Sequence, residues 1–115
     1  MRTKFIQVST TVDSEEGANR LATKLLHERV ASCVQVSGPI KSGYWWNGKI
    51  ERAKEWYCLI KGRAEDYSLI EANIKKMHCY KVPEILATPI LQGDPKYLRW
   101  IRDETTRNSK SKKVE

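Results

Sequence analysis

Two amphipathic helical stripes set among strand-like runs, with an Asn-Gly dipeptide joining the middle pair of runs, predict an α+β sandwich. Its order is β-α-β-β-α-β, followed by a short C-terminal helix. The first strand is Phe5-Ile6-Gln7-Val8-Ser9-Thr10-Thr11, rich in β-branched residues. Asp13 and Glu16 stand at capping-box spacing and open a helix. Its apolar stripe is Ala18, Leu21, Ala22, Leu25, Leu26 and Val30, with Arg20, Lys24, Glu28 and Arg29 outside it. One face of the sheet is thereby covered.

The second strand begins at Ala31-Ser32-Cys33-Val34-Gln35-Val36, is punctuated by Gly38-Pro39 and resumes from Lys41 to Trp46. Asn47 and Gly48 both accept positive φ, as the central residues of a type I′ turn must, so a tight two-residue hairpin is expected. Alternation puts Tyr44 and Trp46 on one face of this ribbon and Trp45 on the other. The return strand runs from Lys49 to about Lys61; Trp56-Tyr57-Cys58-Leu59-Ile60 is apolar without alternation and is expected to be buried on both faces. Asp66 is placed to cap a second helix, whose Tyr67, Ile70, Ile74 and Met77 share a stripe ending near His78. Val82-Pro83 then favours extended backbone, and Ile85 to Leu91 gives a fourth strand whose Pro89 marks an edge or a bulge. After the turn at Gly93-Asp94-Pro95, Tyr97, Leu98, Trp100 and Ile101 form the terminal helix.

A chain of 115 residues with 40% hydrophobic side chains can bury a core without disulfides. Residues 1–106 read as one domain and 107–115 as a basic tail expected to be flexible. That tail has four cations against one carboxylate, a net +3 of the chain's +7, so much of the basic excess is local. Cys33, Cys58 and Cys79 are odd in number and form no Cys-x-x-Cys, which suggests reduced thiols rather than a disulfide framework or a zinc knuckle. With no signal-like segment and no run of roughly 18 apolar residues, a soluble cytoplasmic protein without a membrane partner is expected.

The element order is that of the split βαβ, or ferredoxin-like, arrangement, with both main helices on one sheet face. The other face is left open although its strands are apolar and aromatic, and self-association is the economical way to cover it. The hairpin, about a dozen residues per strand, would outreach a compact body and lie against a neighbouring subunit. An RNA-recognition module shares this order, but the strand that should carry its glycine-aromatic signature holds Trp56-Tyr57-Cys58-Leu59-Ile60-Lys61 instead; no nucleic-acid partner is expected. No nucleophile elbow or paired-carboxylate motif appears, and His27 and His78 are the only histidines, so an enzyme is not expected either.

Ala31-Ser32-Cys33-Val34, Gly43-Tyr44-Trp45-Trp46-Asn47-Gly48-Lys49-Ile50, Leu59-Ile60-Lys61, His78-Cys79-Tyr80-Lys81-Val82-Pro83-Glu84-Ile85 and Tyr97-Leu98-Arg99-Trp100-Ile101 together resemble the CutA family of divalent-cation tolerance proteins. The match covers nearly the whole chain apart from the basic tail. The resemblance implies a ferredoxin-like fold, a homotrimer in which three sheets close around an axis, a kinship of shape with PII signalling proteins and no established catalysis. Tyr44, Trp45 and Trp46 would then be the aromatics of the trimer arm.

Family members that bind metal are similar to this chain at Ser9, where they have Cys, and at Met77-His78, where they have two His. His78 alone of that set is present, with Cys79 beside it as a source of sulfur, so the resemblance implies weak, readily competed binding of copper or another divalent cation and no required cofactor. His78 can equally serve as a hydrogen-bonding residue at a helix end, where its positive form would suit the dipole. Trp46, Lys61, Tyr80 and Glu84 fall in the family's motif positions and would line either a small-ligand pocket between subunits or the interface itself. A PII-like ligand sensor, or a trimeric scaffold without direct metal binding, is the alternative to a metal-response protein.

Overall fold

The computed structural model describes residues 4–107; the basic segment 108–115 lies outside the described residues. Strands β1 (Phe5–Val12), β2 (Cys33–Trp46), β3 (Lys49–Arg63) and β4 (Leu86–Pro89) form one antiparallel sheet in the order β2-β3-β1-β4. Helices α1 (Glu15–His27) and α2 (Tyr67–Met77) cover one face, and α3 (Pro95–Glu104) follows β4. The β-α-β-β-α-β order with a terminal helix is the predicted one.

Alternation along β1 and β3 decides where the core sits. Ile6, Val8 and Val12 of β1 and Cys58 and Ile60 of β3 are buried against Ala18, Leu21 and Leu25 of α1 and Ile70 and Ile74 of α2. Tyr57 and Leu59 point the other way and are only half-buried, so the run from Trp56 to Ile60 is covered on one face within the chain, not on both. Leu26, expected in the α1 stripe, is exposed. Gly62 is required by close packing: a Cβ there would stand 2.6 Å from the Val30 carbonyl oxygen.

Four local features differ from expectation. Ser14, not Asp13, caps α1, its Oγ accepting from Gly17 N–H at 2.9 Å, because the helix starts one residue later and leaves Asp13 to face the segment after α2. Asp66 stands at the N-cap of α2 but makes no side-chain cap bond, since its carboxylate is taken bidentately by Arg107 at 2.7 and 3.0 Å. Arg107 also donates to the Arg29 and Thr105 carbonyls, so this first residue of the expected tail is docked on the body. The fourth strand is shorter than Ile85 to Leu91; it ends at Pro89, which lies on the sheet edge opposite Ile6, where a missing N–H costs nothing.

The β2-β3 hairpin is the longest feature. Asn47 and Gly48 have φ of 51° and 77°, the I′ geometry that the sequence predicts. Register shifts between Ser37 and Ile40, where the Trp56 ring lies so close to Gly38 that a Cβ would meet it at 2.6 Å. Beyond this irregularity only β2 and β3 pair, and the arm stretches the chain to 50 × 33 × 22 Å. Its radius of gyration is 15.3 Å, against about 13 Å for a compact domain of roughly this length.

Candidate functional site

His78 follows the last residue of α2 with extended backbone, φ −76° and ψ 144°, which turns its ring back over the end of β1. Nε2 donates to the Thr11 carbonyl oxygen at 2.8 Å and stands 3.1 Å from Thr10 Oγ1, while Nδ1 accepts from Tyr80 N–H at 3.1 Å. The two ring nitrogens are thus used in opposite senses, which specifies the neutral Nε2–H tautomer. Burial holds the His78 pKa below its ordinary 6.5, opposed by the Thr11 carbonyl and the Asp13 and Glu55 carboxylates.

The Tyr80 ring lies 5.1 Å from the His78 ring, and its hydroxyl donates to Glu55 Oε2 at 2.6 Å. Glu55 is a carboxylate only 5% exposed, carried by β3 just before the apolar run. Burial, then the bond to Glu55, pushes the Tyr80 hydroxyl well above its ordinary pKa, so it remains a proton donor at any physiological pH. Cys79 is exposed by area, yet burial around its thiol, with the Asp13 carboxylate beside it, pushes the thiol up. Glu55, Asp13 and the Thr10-Thr11 pair are partners that sequence reasoning missed. The signal available was a lone Glu entering an apolar strand.

In the folded chain the candidate copper ligands His78 and Cys79 are already engaged by other groups. Both nitrogens of His78 are engaged, the Cys79 thiol holds its proton, and no group of three metal-ligating side chains gathers among the described residues. Copper would have to break the His78 bonds to Thr11 or Tyr80 before taking a nitrogen. Ser9 is on the other face of β1, where its hydroxyl donates to Glu84 Oε2 at 3.4 Å, so it is separated from His78 by the sheet. Cys58, fully buried with its pKa pushed up to about 11, is a core residue; Cys33 is half-buried on the open face opposite Lys61.

The other motif residues are spread along the sheet. Lys61 Nζ lies 3.5 Å from the Tyr97 hydroxyl and 5.6 Å from its ring centroid, pinning α3 over one end of the open face. Glu84 sits beside Ser9, one cross-strand row away, and Tyr80 lies with Glu55 at the base of the hairpin. Trp46 is at the hairpin tip opposite Lys49, twelve residues along β3 from Lys61, or about 40 Å of strand. One chain therefore does not bring Trp46 together with Lys61.

On the open face the register lines up Cys33, Lys61, Gln7 and Thr88 in one row and Gln35, Leu59, Ser9 and Leu86 in the next. Leu86 is 59% exposed there, and on the arm Tyr44, Trp45, Trp46 and Ile50 are exposed as well. Large apolar side chains left in water in this way mark surfaces that partners commonly cover.

Known proteins share this fold and much of this sequence. Residues 6–104 match the family model described as CutA1 divalent ion tolerance protein. A divalent-cation tolerance protein CutA of Archaeoglobus fulgidus is 44% identical over 95 residues, covering 83% of this chain and 91% of that protein. One from Thermus thermophilus is 38% identical over 98 residues, covering 85% and 95%. Among solved structures, the periplasmic divalent cation tolerance protein CutA from A. fulgidus superposes with a TM-score of 0.86 at 38% identity over 89% of this chain and 99% of that one. CutA1 from Oryza sativa gives 0.88 at 36% identity over 92% and 97%. On a family match spanning nearly every described element, the chain belongs to the CutA1 divalent ion tolerance family.

Proposed function

We propose that this protein acts in divalent-cation tolerance as a homotrimer whose subunits cover one another's open sheet face with the hairpin arm. The observation that carries this reading is the apolar surface running from half-buried Leu59 and exposed Leu86 on the sheet to exposed Tyr44 and Trp46 on the arm, all on the side away from α1 and α2. Assembly would also bring the tip of one chain to the body of another, the only way for Trp46 to join Lys61, Tyr80 and Glu84 around a common pocket. Light scattering coupled to gel filtration tests the assembly. A trimer mass for wild type, and a weakened trimer for Trp46→Ala, are expected; a monomer at micromolar concentration overturns the reading.

Direct cation contact, in this proposal, is weak and secondary. Copper taken by His78 with Cys79 would cost the neutral ring its bonds to Thr11 and Tyr80, which supports low affinity, and acid would compete for the same nitrogen. Calorimetric titration with Cu2+ should give weak, substoichiometric heats for wild type and none for His78→Ala. Equal binding by both would exclude His78, and tight saturable binding would overturn the low affinity. The same engagement of His78 favours a second reading, in which the trimer is a PII-like small-ligand sensor or scaffold and tolerance is indirect.

No helix among the described residues is long and apolar enough to cross a membrane. The cysteines are free of one another, which supports a reducing compartment, and we place the protein in the cytoplasm although the A. fulgidus relative is described as periplasmic. Cell fractionation decides this: recovery in the periplasmic fraction would overturn it.

A further inference from the structure

The cross-strand register of the arm sorts its side chains into two sets. Trp46 with Lys49, Tyr44 with Glu51 and Ser42 with Ala53 share the face that continues the open side of the sheet. Trp45 with Ile50, Gly43 with Arg52 and Lys41 with Lys54 share the other. This second set puts two lysines directly opposite each other with an arginine one step along, a like-charge arrangement that destabilises a bare hairpin. Among the described residues none of the three has a carboxylate within 4.0 Å. Gly43 leaves a bare floor beneath Arg52, for a Cβ at 43 would stand 3.8 Å from its Nη1. Lys41, Gly43, Arg52 and Lys54 border an open depression of about 540 Å³, which Pro39, Ile40, Ser42 and Ala53 also line. One step further toward the tip, Trp45 is 72% and Ile50 56% exposed.

We propose that this arm face binds an aromatic polyphosphate, with its phosphates on Lys41, Arg52 and Lys54 and its ring against Trp45. From the Lys41 pair to the Trp45 pair is four residues, about 13 Å of strand, which a ring, a linker and two or three phosphates span. Arg52 offers a planar fork and the lysines compact charges, and a bound phosphate run offsets the repulsion that otherwise burdens the three cations. Trp45 supplies a stacking surface at the right end of the row. Three cations on two successive pairs match one short phosphate run rather than the long track of a polymer. All four side chains belong to one hairpin, and the assembly proposed above, on which this point rests, would use the opposite face and leave them to solvent, so the site stands apart from the cation reading.

Metal-free calorimetry at low salt on the full chain tests this with ATP, inorganic tripolyphosphate and adenosine as probes. The variants are Arg52→Gln/Lys54→Gln and Trp45→Leu, each checked for wild-type circular dichroism and assembly mass. Wild type should bind ATP saturably and more tightly than tripolyphosphate. The double variant should weaken both by roughly tenfold or more, and Trp45→Leu should lower ATP to the tripolyphosphate level while leaving tripolyphosphate unchanged. Absence of saturable ATP binding by wild type, or undiminished binding by the double variant, overturns the site. Equal affinity of wild type for ATP and tripolyphosphate, or adenosine binding as tightly as ATP, overturns the pairing of a ring on Trp45 with phosphates on the cations.

Discussion

His78 Nε2 donates to the carbonyl oxygen of Thr11 at 2.8 Å, fastening the segment after α2 to the end of β1. Because Nδ1 accepts from Tyr80 N–H, the fold selects the neutral ring, and protonation would turn that acceptor into a donor facing a donor.

The pH consequence follows from the direction of the shift. With the folded pKa below 6.5, the unfolded chain binds more protons in the window beneath that value, so stability rises with pH there. The contribution of His78 is complete above about 6.5 and is lost as pH falls toward the folded pKa. Melting temperatures of wild type and His78→Gln between pH 5 and 7.5 should show a shallower acid-side slope for the variant. Parallel slopes would mean that His78 does not carry the effect.

Tyr80→Phe removes the hydroxyl that donates to the buried Glu55 carboxylate. A hydrogen bond to a charged group contributes about 1.5 to 3 kcal/mol, and denaturant unfolding should show a loss of that order. Glu55→Gln in the Tyr80→Phe background should recover part of it, because an amide is less costly than an unpaired carboxylate to bury. A loss that Glu55→Gln does not relieve would place the energy elsewhere.

Gly62→Ala should destabilise by about 1 to 3 kcal/mol through overpacking, because the added Cβ meets backbone, the Val30 carbonyl oxygen, which cannot rotate away. Gly48→Ala makes a useful contrast. Nothing lies within 4 Å of a Cβ at that position, so its cost comes only from φ of 77°. Equal unfolding midpoints for wild type and Gly62→Ala would contradict the close approach.

Truncation after Arg107 should leave the melting temperature unchanged, whereas truncation after Thr106 should cost about 3 kcal/mol, the lower end for breaking a buried ion pair. Asp66 is 3% exposed and Arg107 is its bidentate partner; Arg63, 3.6 Å away, remains to offset part of the loss. Equal melting temperatures for the two truncated forms would show that Arg107 is dispensable.

The sequence by itself determined the element order, the I′ turn at Asn47-Gly48 and the separation of Tyr44 and Trp46 from Trp45, because periodicity and turn chemistry are local. The family was legible too, in motifs strung through most of the chain. Only the tertiary structure decided the partners. Ser14 rather than Asp13 caps α1, and Asp66 gives its carboxylate to Arg107 instead of to its own helix, because a cap competes with whatever charge the fold brings near. His78 read either as a ligand or as a helix-end residue, and Thr11 and Tyr80 settled how its nitrogens are used in the folded chain. Those contacts span up to 67 positions, a separation at which no sequence period operates; they arise when strand register and helix packing fix which ends of the sheet and helices meet.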